Sequence, residues 1–470
     1  MNSSYKRLGK NTVLVFIGKA GSSFVALLML PLYTRWLSTE EFGTVDLINT
    51  YSTILLSIIS CSIASAIFVV PDKKNKTECS AYYSTGLVFV GFISIFFALI
   101  LGGINYTINS DVFFLNNGWN IVILTISMIL INYTQQFVRA IDKMSVFSIV
   151  GIIQSVSTAL LAILLIPKFQ LNGYIISLVI SNIISSLYAF FASNSYLYVN
   201  LRLIKRVYLL HLLKYSVPLM PNTIMWWLVN GFNRPLMESE LGLSAIGLYA
   251  VALKFPNIIT SVSDVFMNAF SISMIEEYRN PNFSVFFTNT FKVVYLFIII
   301  CAIGISILSK FIIGIFASQE FFEAWRILPI LTLSSVFSCA SSIIGGVFVA
   351  RKESKYYFYT SIYGAISSVF FTIVLIKLFG LIGCATASGI SFLVMYISRY
   401  IYAKKDIPNY DNKWFIYTTS LLLVVIFISL ASLPILVQIV FYIIIIAVLF
   451  FVNRDILYSI LRLVQNKYLK

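Results

Sequence analysis

The feature that most limits the fold is a succession of fourteen apolar runs, each long enough to cross a bilayer and separated by short polar connections. They lie near 12–36, 44–70, 81–103, 119–138, 146–166, 172–192, 215–235, 246–273, 285–307, 326–349, 357–377, 381–401, 414–432 and 434–452. A hydrocarbon core of about 30 Å takes roughly 20 residues of helix, and a helix satisfies its backbone hydrogen bonds internally where no water can. With 59% hydrophobic and 11% charged residues among 470, the chain has too few charges to coat a soluble globule. The expectation is an all-α integral membrane protein. Its first run follows a basic flank, as in a signal peptide, but is far longer and lacks a clean small-residue cleavage site, so it is read as a retained first span.

Several function classes fall away on composition. The five cysteines (Cys61, Cys79, Cys301, Cys339, Cys384) stand singly, with no spacing that suggests a metal site or a disulfide framework. His211 is the only histidine, so there is no histidine cluster for zinc and no Ser-His-Asp triad. No GxxxxGK[ST] phosphate loop is present. The expectation is therefore a protein without catalytic residues, metal or cofactor, driven by an ion gradient or by its substrate's gradient. A net charge of +15 would suit nucleic acid only on a basic face of a soluble domain, and the spans leave no such domain.

The basic residues set the expected orientation, because cytoplasmic connections retain Lys and Arg. With the amino terminus inside, 24 of the 33 basic residues fall on one side and six on the other. The inner set includes "DKKNK" (72–76), "RKESK" (351–355) and the group Arg399/Lys404/Lys405/Lys413. Three lysines, Lys19, Lys254 and Lys292, lie within spans. Both termini are then cytoplasmic.

A repeat is legible in the connections. "LIPKFQLNG" (165–173) and "LIKLFGLIG" (375–383) agree at five of nine positions and lie 210 residues apart. Each joins two spans on the outer side, the fifth to the sixth and the eleventh to the twelfth. The same offset aligns the inner turns "RAIDKMS" (139–145) and "VARKESK" (349–355). Six spans separate the copies, so both halves share one orientation, as in parallel-repeat transporters. The expected architecture is a six-helix lobe over 1–200, a second over 201–405, related by a pseudo-two-fold along the membrane normal, and two extra helices with a tail over 406–470. Gly43 and Gly247, each opening an apolar run, align only loosely.

Ionisable residues within spans are functional candidates because each costs several kcal/mol unless it faces protein or water. Lys19 and Lys292 stand about 12 Å from their cytoplasmic ends; both a snorkelling reading and a cavity reading apply. Lys254 is read as facing a cavity. Asp264, ten residues on and about 80° round the same expected helix, is either a titrating partner or a counter-charge. Arg35 and Asp46 flank the first outer hairpin and can pair across it, while Arg234 has Glu238 and Glu240 nearby in sequence. In "PLMPNTIMWWLVNGFNRP" (218–235), two prolines weaken the first turns. Asn230, Asn233, Trp226 and Trp227 either pack between helices or line a cavity suited to sugars.

The opening segment "KNTVLVFIGKAGSSFVALLMLPLYTRWLSTEEFGTVDLINTYSTILLSIIS" (10–60) resembles the start of bacterial O-antigen and capsule flippases, the polysaccharide-transporter branch of the multidrug/oligosaccharidyl-lipid/polysaccharide exporter superfamily. An apolar span ending in Pro31, then Thr34-Arg35, Leu37 and Glu41-Phe42-Gly43, carries the likeness. The resemblance implies two lobes around a central cavity in the bacterial cytoplasmic membrane. It further implies alternating-access movement of undecaprenyl-pyrophosphate-linked oligosaccharide, with cavity cations on the pyrophosphate and contact with membrane lipids and the polymerase machinery. Lys19, Lys254, Lys292, Arg35 and Arg234 are the candidate cations, and Asp264 and Asp46 the candidates for ion coupling. A multidrug extruder is the alternative within the superfamily, and a polysaccharide polymerase or ligase the alternative outside it. The deep lysines disfavour cationic drugs, and the longest outer connection, 104–118, carries neither Arg nor His.

Overall fold

The computed structural model describes residues 3–107, 112–431 and 434–454, with side chains from Gly18 onward apart from Lys19, Ala20 and a few further positions. All regular structure among them is helical. One compact unit comprises Met1–Ala250 and Phe316–Glu320. It contains α1 (Ser3–Trp36), α2 (Thr39–Ile59), α3 (Ile63–Val69), α4 (Lys76–Thr107), α5 (Phe113–Asn116), α6 (Gly118–Ala140), α7 (Met144–Ala192), α8 (Arg206–Ser216), α9 (Met220–Asn230), α10 (Asn233–Leu241) and most of α11 (Leu243–Leu253). The other comprises Val251–Ile315 and Phe321–Lys470. Its helices are α12 (Pro256–Glu277), α13 (Phe283–Ile307), α14 (Ser309–Phe316), α15 (Leu328–Ala350), α16 (Ser354–Ala403), α17 (Asn412–Leu430) and α18 (Ile435–Val452).

Among the described residues, nine helices are long and apolar enough to cross a membrane. Two of these, α7 and α16, are folded in half, so the nine account for eleven of the fourteen expected crossings. Gln154 Nε2 donates to Asn182 Oδ1 at 2.7 Å, and Thr158 Oγ1 to Ser181 Oγ at 2.6 Å. In a straight helix the first pair would be about 42 Å apart, so α7 must double back. It does so at Gln170 (φ 47°, ψ −125°), and α16 at Gly380 (φ 55°, ψ −130°), the same position of the 210-residue repeat. Three residues on, the arms touch: a Cβ on Gly173 would lie 2.4 Å from the Leu165 carbonyl oxygen, and one on Gly383 would lie 1.9 Å from that of Leu375. The two glycines common to the echo are thus the residues that let the arms meet.

The inner turns repeat as closely. Asp142 (φ 60°) and Lys352 (φ 62°) take the left-handed conformation, again 210 residues apart. The amides of Lys143 and Glu353 close the turns on Val138 and Phe348 carbonyls at 3.1 and 2.9 Å. The bounds of α6 and α15 coincide after the same shift, and each is the most enclosed spanning helix of its unit.

Three expected spans are interrupted. The run 44–70 breaks after α2, where Cys61 and Ser62 have φ of 48° and 51°. The run 215–235 is divided by Pro218 and Pro221 and again at Gly231. The run 246–273 breaks at Lys254–Phe255, with Pro256 starting α12, where its missing N–H costs no helical bond. In the first unit α3, α4, α6 and α8 enclose an aromatic core, with the Tyr83 and Phe137 rings stacked at 3.8 Å. Tyr133 donates to the Tyr83 carbonyl, and a Cβ at Gly86 would strike the Tyr133 hydroxyl. In the second unit Phe291, Tyr295, Tyr396 and Phe415 pack between α13, α16 and α17.

Candidate functional site

The first unit gathers a polar cluster where α9 gives way to α10. Gly231 terminates α9 and leaves space for the Trp227 indole, which a Cβ there would meet at 2.8 Å. Trp227 Nε1 donates to the Thr50 carbonyl of α2 at 3.0 Å, pinning the break against α2. Two residues into α10, Arg234 reaches Asp46 with Nε to Oδ2 at 3.3 Å. Its Nη1 donates to Asn233 Oδ1 at 2.9 Å and to the Asn230 carbonyl, and the guanidinium lies 4.9 Å from the Tyr249 ring centroid. Asn233 Nδ2 in turn donates to Tyr249 Oη at 2.8 Å. The Arg234 and Asp46 side chains are 11% and 22% exposed. A pair this enclosed costs desolvation, and removing one partner leaves the other charge uncompensated, at about 3 kcal/mol or more.

Arg234 therefore pairs with Asp46, not with Glu238 or Glu240, and Asp46 is taken by Arg234 and not by Arg35, which is exposed on the last turn of α1. Sequence distance misled here: Asp46 and Arg234 are 188 residues apart, and only the packing of α10 on α2 joins them. Trp226 is half-buried, and Asn230 is exposed and donates to the Trp226 carbonyl of its own helix. Tyr249 went unnoticed, since one tyrosine among 28 carries no signal.

The remaining candidates are dispersed. Lys19 lies within α1, and its side chain is outside the described residues. Lys254 stands half-buried at the break between α11 and α12, whereas Asp264 is exposed within α12; the break removes the common helix on which an 80° relation was expected. Lys292 Nζ contacts Asp411 Oδ2 at 2.9 Å and lies over the Trp414 ring. Asp411 also caps α17 by accepting from the Trp414 amide. These bonds, Lys292 first, hold its carboxyl below the ordinary carboxylate range.

Two further polar clusters were missed. In the first unit Gln154, Asn182 and Ser127 form a chain, Asn182 Nδ2 donating to Ser127 Oγ at 3.0 Å; amides within apolar runs were the available signal. In the second unit Arg399 is wholly buried. Its Nη1 donates to the Ser341 carbonyl at 2.9 Å and Nε to Thr360 Oγ1 at 3.2 Å, with the guanidinium 4.2 Å from the Tyr357 ring centroid. Its sequence neighbours Lys404 and Lys405 disguised it as one of a solvated group. Among the described residues no group of three or more His, Cys, Asp or Glu is placed to hold a metal.

The fold as a whole resembles that of known membrane transporters. The inward closed form of the lipid II flippase MurJ superposes with a TM-score of 0.72 at 16% identity, covering 95% of this chain and 99% of that one. An inward-facing multidrug resistance MATE family transporter of the MOP superfamily gives 0.67 at 13% identity, covering 84% and 94%. At these identities the likeness is one of fold: this chain shares the all-helical, multi-pass layout of those membrane proteins. In sequence the chain is 22% identical over 417 residues to the capsular polysaccharide biosynthesis protein CapF of Staphylococcus aureus, covering 84% of this chain and 99% of that protein. The sequence profile of the polysaccharide biosynthesis protein family matches residues 8–263, more than half the chain. By that match the chain belongs to the polysaccharide biosynthesis protein family, in the fold of the MOP-superfamily transporters.

Proposed function

We propose that the chain is a flippase for capsule or O-antigen assembly, carrying undecaprenyl-pyrophosphate-linked oligosaccharide repeat units across the bacterial cytoplasmic membrane by alternating access. In this reading it has no catalytic activity, both termini are cytoplasmic, the transporting repeats end near residues 200 and 405, and the polymerase machinery receives the product. Family membership supports the pathway. The observation that carries the mechanism is the largely enclosed Arg234–Asp46 pair beside a helix break, with Asn233 and Tyr249 bonded to each other at its side.

A guanidinium presents five donors in a plane, suited to bidentate contact with phosphate oxygens. At rest Asp46 neutralises it. An arriving diphosphate competes with Asp46 for Arg234 and separates the two. When the diphosphate departs, Arg234 returns to Asp46, which makes Asp46 the candidate for coupling an ion to the movement. In this scheme Asn230 and Trp226 line the sugar path, and Lys292 stays with Asp411.

The test is complementation of a flippase-deficient strain, scored by surface polysaccharide, lipid-linked repeat units accumulated inside, and protein level in the membrane. Arg234→Ala is expected to stop export and raise the intracellular pool, and Arg234→Lys to retain part of the activity because charge persists without the planar fork. Asp46→Asn, which leaves Arg234 without its counter-charge, should lower export as well. Normal export by a well-expressed Arg234→Ala protein overturns the assignment of Arg234. Failure of the wild-type chain to restore any polysaccharide in hosts with matched repeat units overturns the assigned cargo.

A further inference from the structure

The α16 hairpin carries an apolar groove of about 500 Å³ between its arms, floored by Ile366, Phe370 and Phe371 on one side and by Ile397 and Ile401 on the other. One end has a polar rim. Tyr363, which lines the groove, has its hydroxyl 3.5 Å from that of Tyr402. The Tyr402 ring packs at 5.1 Å against Tyr356, and Lys355 Nζ lies 5.0 Å from the Tyr356 ring centroid. On the second arm Lys404 and Lys405, both exposed, follow within one turn of Ile401. The apolar trough thus ends at two hydroxyls, with Lys355 joined to that rim through Tyr356 and Lys404 and Lys405 following its last lining residue, Ile401, by three and four positions.

The first copy of the repeat provides an internal comparison. At the positions equivalent to Lys355, Tyr356, Tyr363, Tyr402, Lys404 and Lys405 it has Ser145, Val146, Ile153, Ala192, Asn194 and Ser195. The backbone device is the same in both copies, yet only α16 combines the trough with cations, so the hairpin fold does not require them. From this juxtaposition we infer that the α16 groove is a site for an anionic phospholipid, one acyl chain lying in the trough and the phosphate held by Lys355, Lys404 and Lys405. Charge complementarity selects the head group, and the apolar lining takes the chain. The site shares no residue with the Arg234–Asp46 cluster and does not depend on which cargo is moved.

The experiment is native mass spectrometry of the full-length purified protein, exposed in turn to phosphatidylglycerol and phosphatidylcholine of the same chain length. Wild type is expected to retain phosphatidylglycerol preferentially, and the triple variant Lys355→Gln/Lys404→Gln/Lys405→Gln to lose that preference by about tenfold or more, since each lysine near an anionic head group contributes. Ile397→Trp, which fills the trough, should reduce retention of both lipids, whereas Leu160→Trp, at the position of the first copy that matches Phe370, should change neither. Equal retention of the two lipids by wild type overturns the proposal, as does an unchanged preference in a monodisperse triple variant. Displacement of phosphatidylglycerol by a polyprenyl phosphate that binds through the same lysines would also overturn it, identifying the occupant as an isoprenoid carrier.

Discussion

Arg399 invites a repeat-swap experiment. Its buried network in the second copy has a counterpart in the first made only of apolar contacts and one glutamine. Ser341, Gly345, Tyr357, Thr360 and Arg399 correspond to Ile131, Gln135, Phe147, Val150 and Ala189, and Ile131, Val150 and Ala189 belong to one apolar cluster with Phe147 packed on it. The fold therefore already contains a tested apolar solution for this junction. Arg399→Ala alone forfeits two directed charge-assisted bonds, about 1.5–3 kcal/mol each, and leaves a cavity. It also ends the desolvation of a guanidinium, which costs several kcal/mol. A net loss of about 2–4 kcal/mol is expected, in the range of large-to-small core substitutions. The combined variant Ser341→Ile/Tyr357→Phe/Thr360→Val/Arg399→Ala refills the space with the first copy's residues and should lie near wild type or up to about 3 kcal/mol above it, as found when buried ionic groups give way to packed apolar ones.

Gly345 sharpens the test. A Cβ there would lie 3.0 Å from Arg399 Nη1 and 2.9 Å from Tyr357 Cε2, so Gly345→Ala should cost about 1–3 kcal/mol in the wild type and less once Arg399 is gone, because the ring at position 357 can then move into the vacated space. Thermal unfolding of the detergent-purified proteins, monitored by loss of the monodisperse peak, reads these differences. Costs that simply add across the set, or a combined variant as unstable as Arg399→Ala, would refute the reasoning, because residues sharing one network should couple by 0.5–3 kcal/mol.

Gln170 holds the backbone conformation that Gly380 adopts without a side chain, so Gln170→Gly should stabilise the first hairpin by about 1 kcal/mol, strain relief of 1–3 kcal/mol outweighing glycine's entropy cost; a lower melting temperature would show that Gln170 is unstrained. Gly383→Ala places a Cβ 1.9 Å from the Leu375 carbonyl oxygen and should sharply reduce the amount of folded protein recovered from membranes, whereas Gly304→Ala, with open space around it, should not. Asp411→Asn keeps a good helix cap but loses the Lys292 pair, and should cost about 0.5–1 kcal/mol against about 1–2 for Asp411→Ala, discounted because the carboxylate is 41% exposed. Because folding lowers the Asp411 pKa, its contribution is present above the unfolded-state value and fades as pH falls through the lower folded one. The difference in melting temperature between wild type and Asp411→Asn should therefore be unchanged through neutral pH and close only in strong acid. In a background without native cysteines, Lys352→Cys should be labelled by a membrane-impermeant thiol reagent only after the cells are opened, which checks the expected sidedness.

What could be read from the sequence divides along a physical line. Apolar runs, short connections and the 210-residue echo report on backbone geometry, and the structure repeats that geometry down to the left-handed residues Asp142 and Lys352. The breaks within runs were harder: Pro256 and Gly231 are visible as letters, but whether a helix stops there depends on what packs beside it. The site was least legible. Asp46 meets Arg234 across 188 residues, and Tyr249 joins them by position alone. Arg399 looked like part of a charged connection because distance along the chain says nothing about enclosure.

The two copies then explain why fold and site separate so cleanly. A hairpin needs a residue that can turn and a glycine where the arms touch, and both copies keep these at Gln170/Gly380 and Gly173/Gly383. Nothing in that requirement fixes the polar content between the arms. The first copy places Gln154 and Asn182 there, bonded on to Ser127 of α6, where the second has Gly364, Phe392 and, in α15, Phe337; the second places Arg399 and Thr360 where the first has Ala189 and Val150. Buried polar groups are costly unless satisfied, so each set persists only with its partners present, and the sets occupy different levels of otherwise matching hairpins. A transporter built of two equivalent halves would have no reason to differ in this way. The asymmetry argues that the halves do different work on one backbone plan, and exchanging the polar sets between copies while leaving both turns intact should preserve folding far better than the transport proposed above.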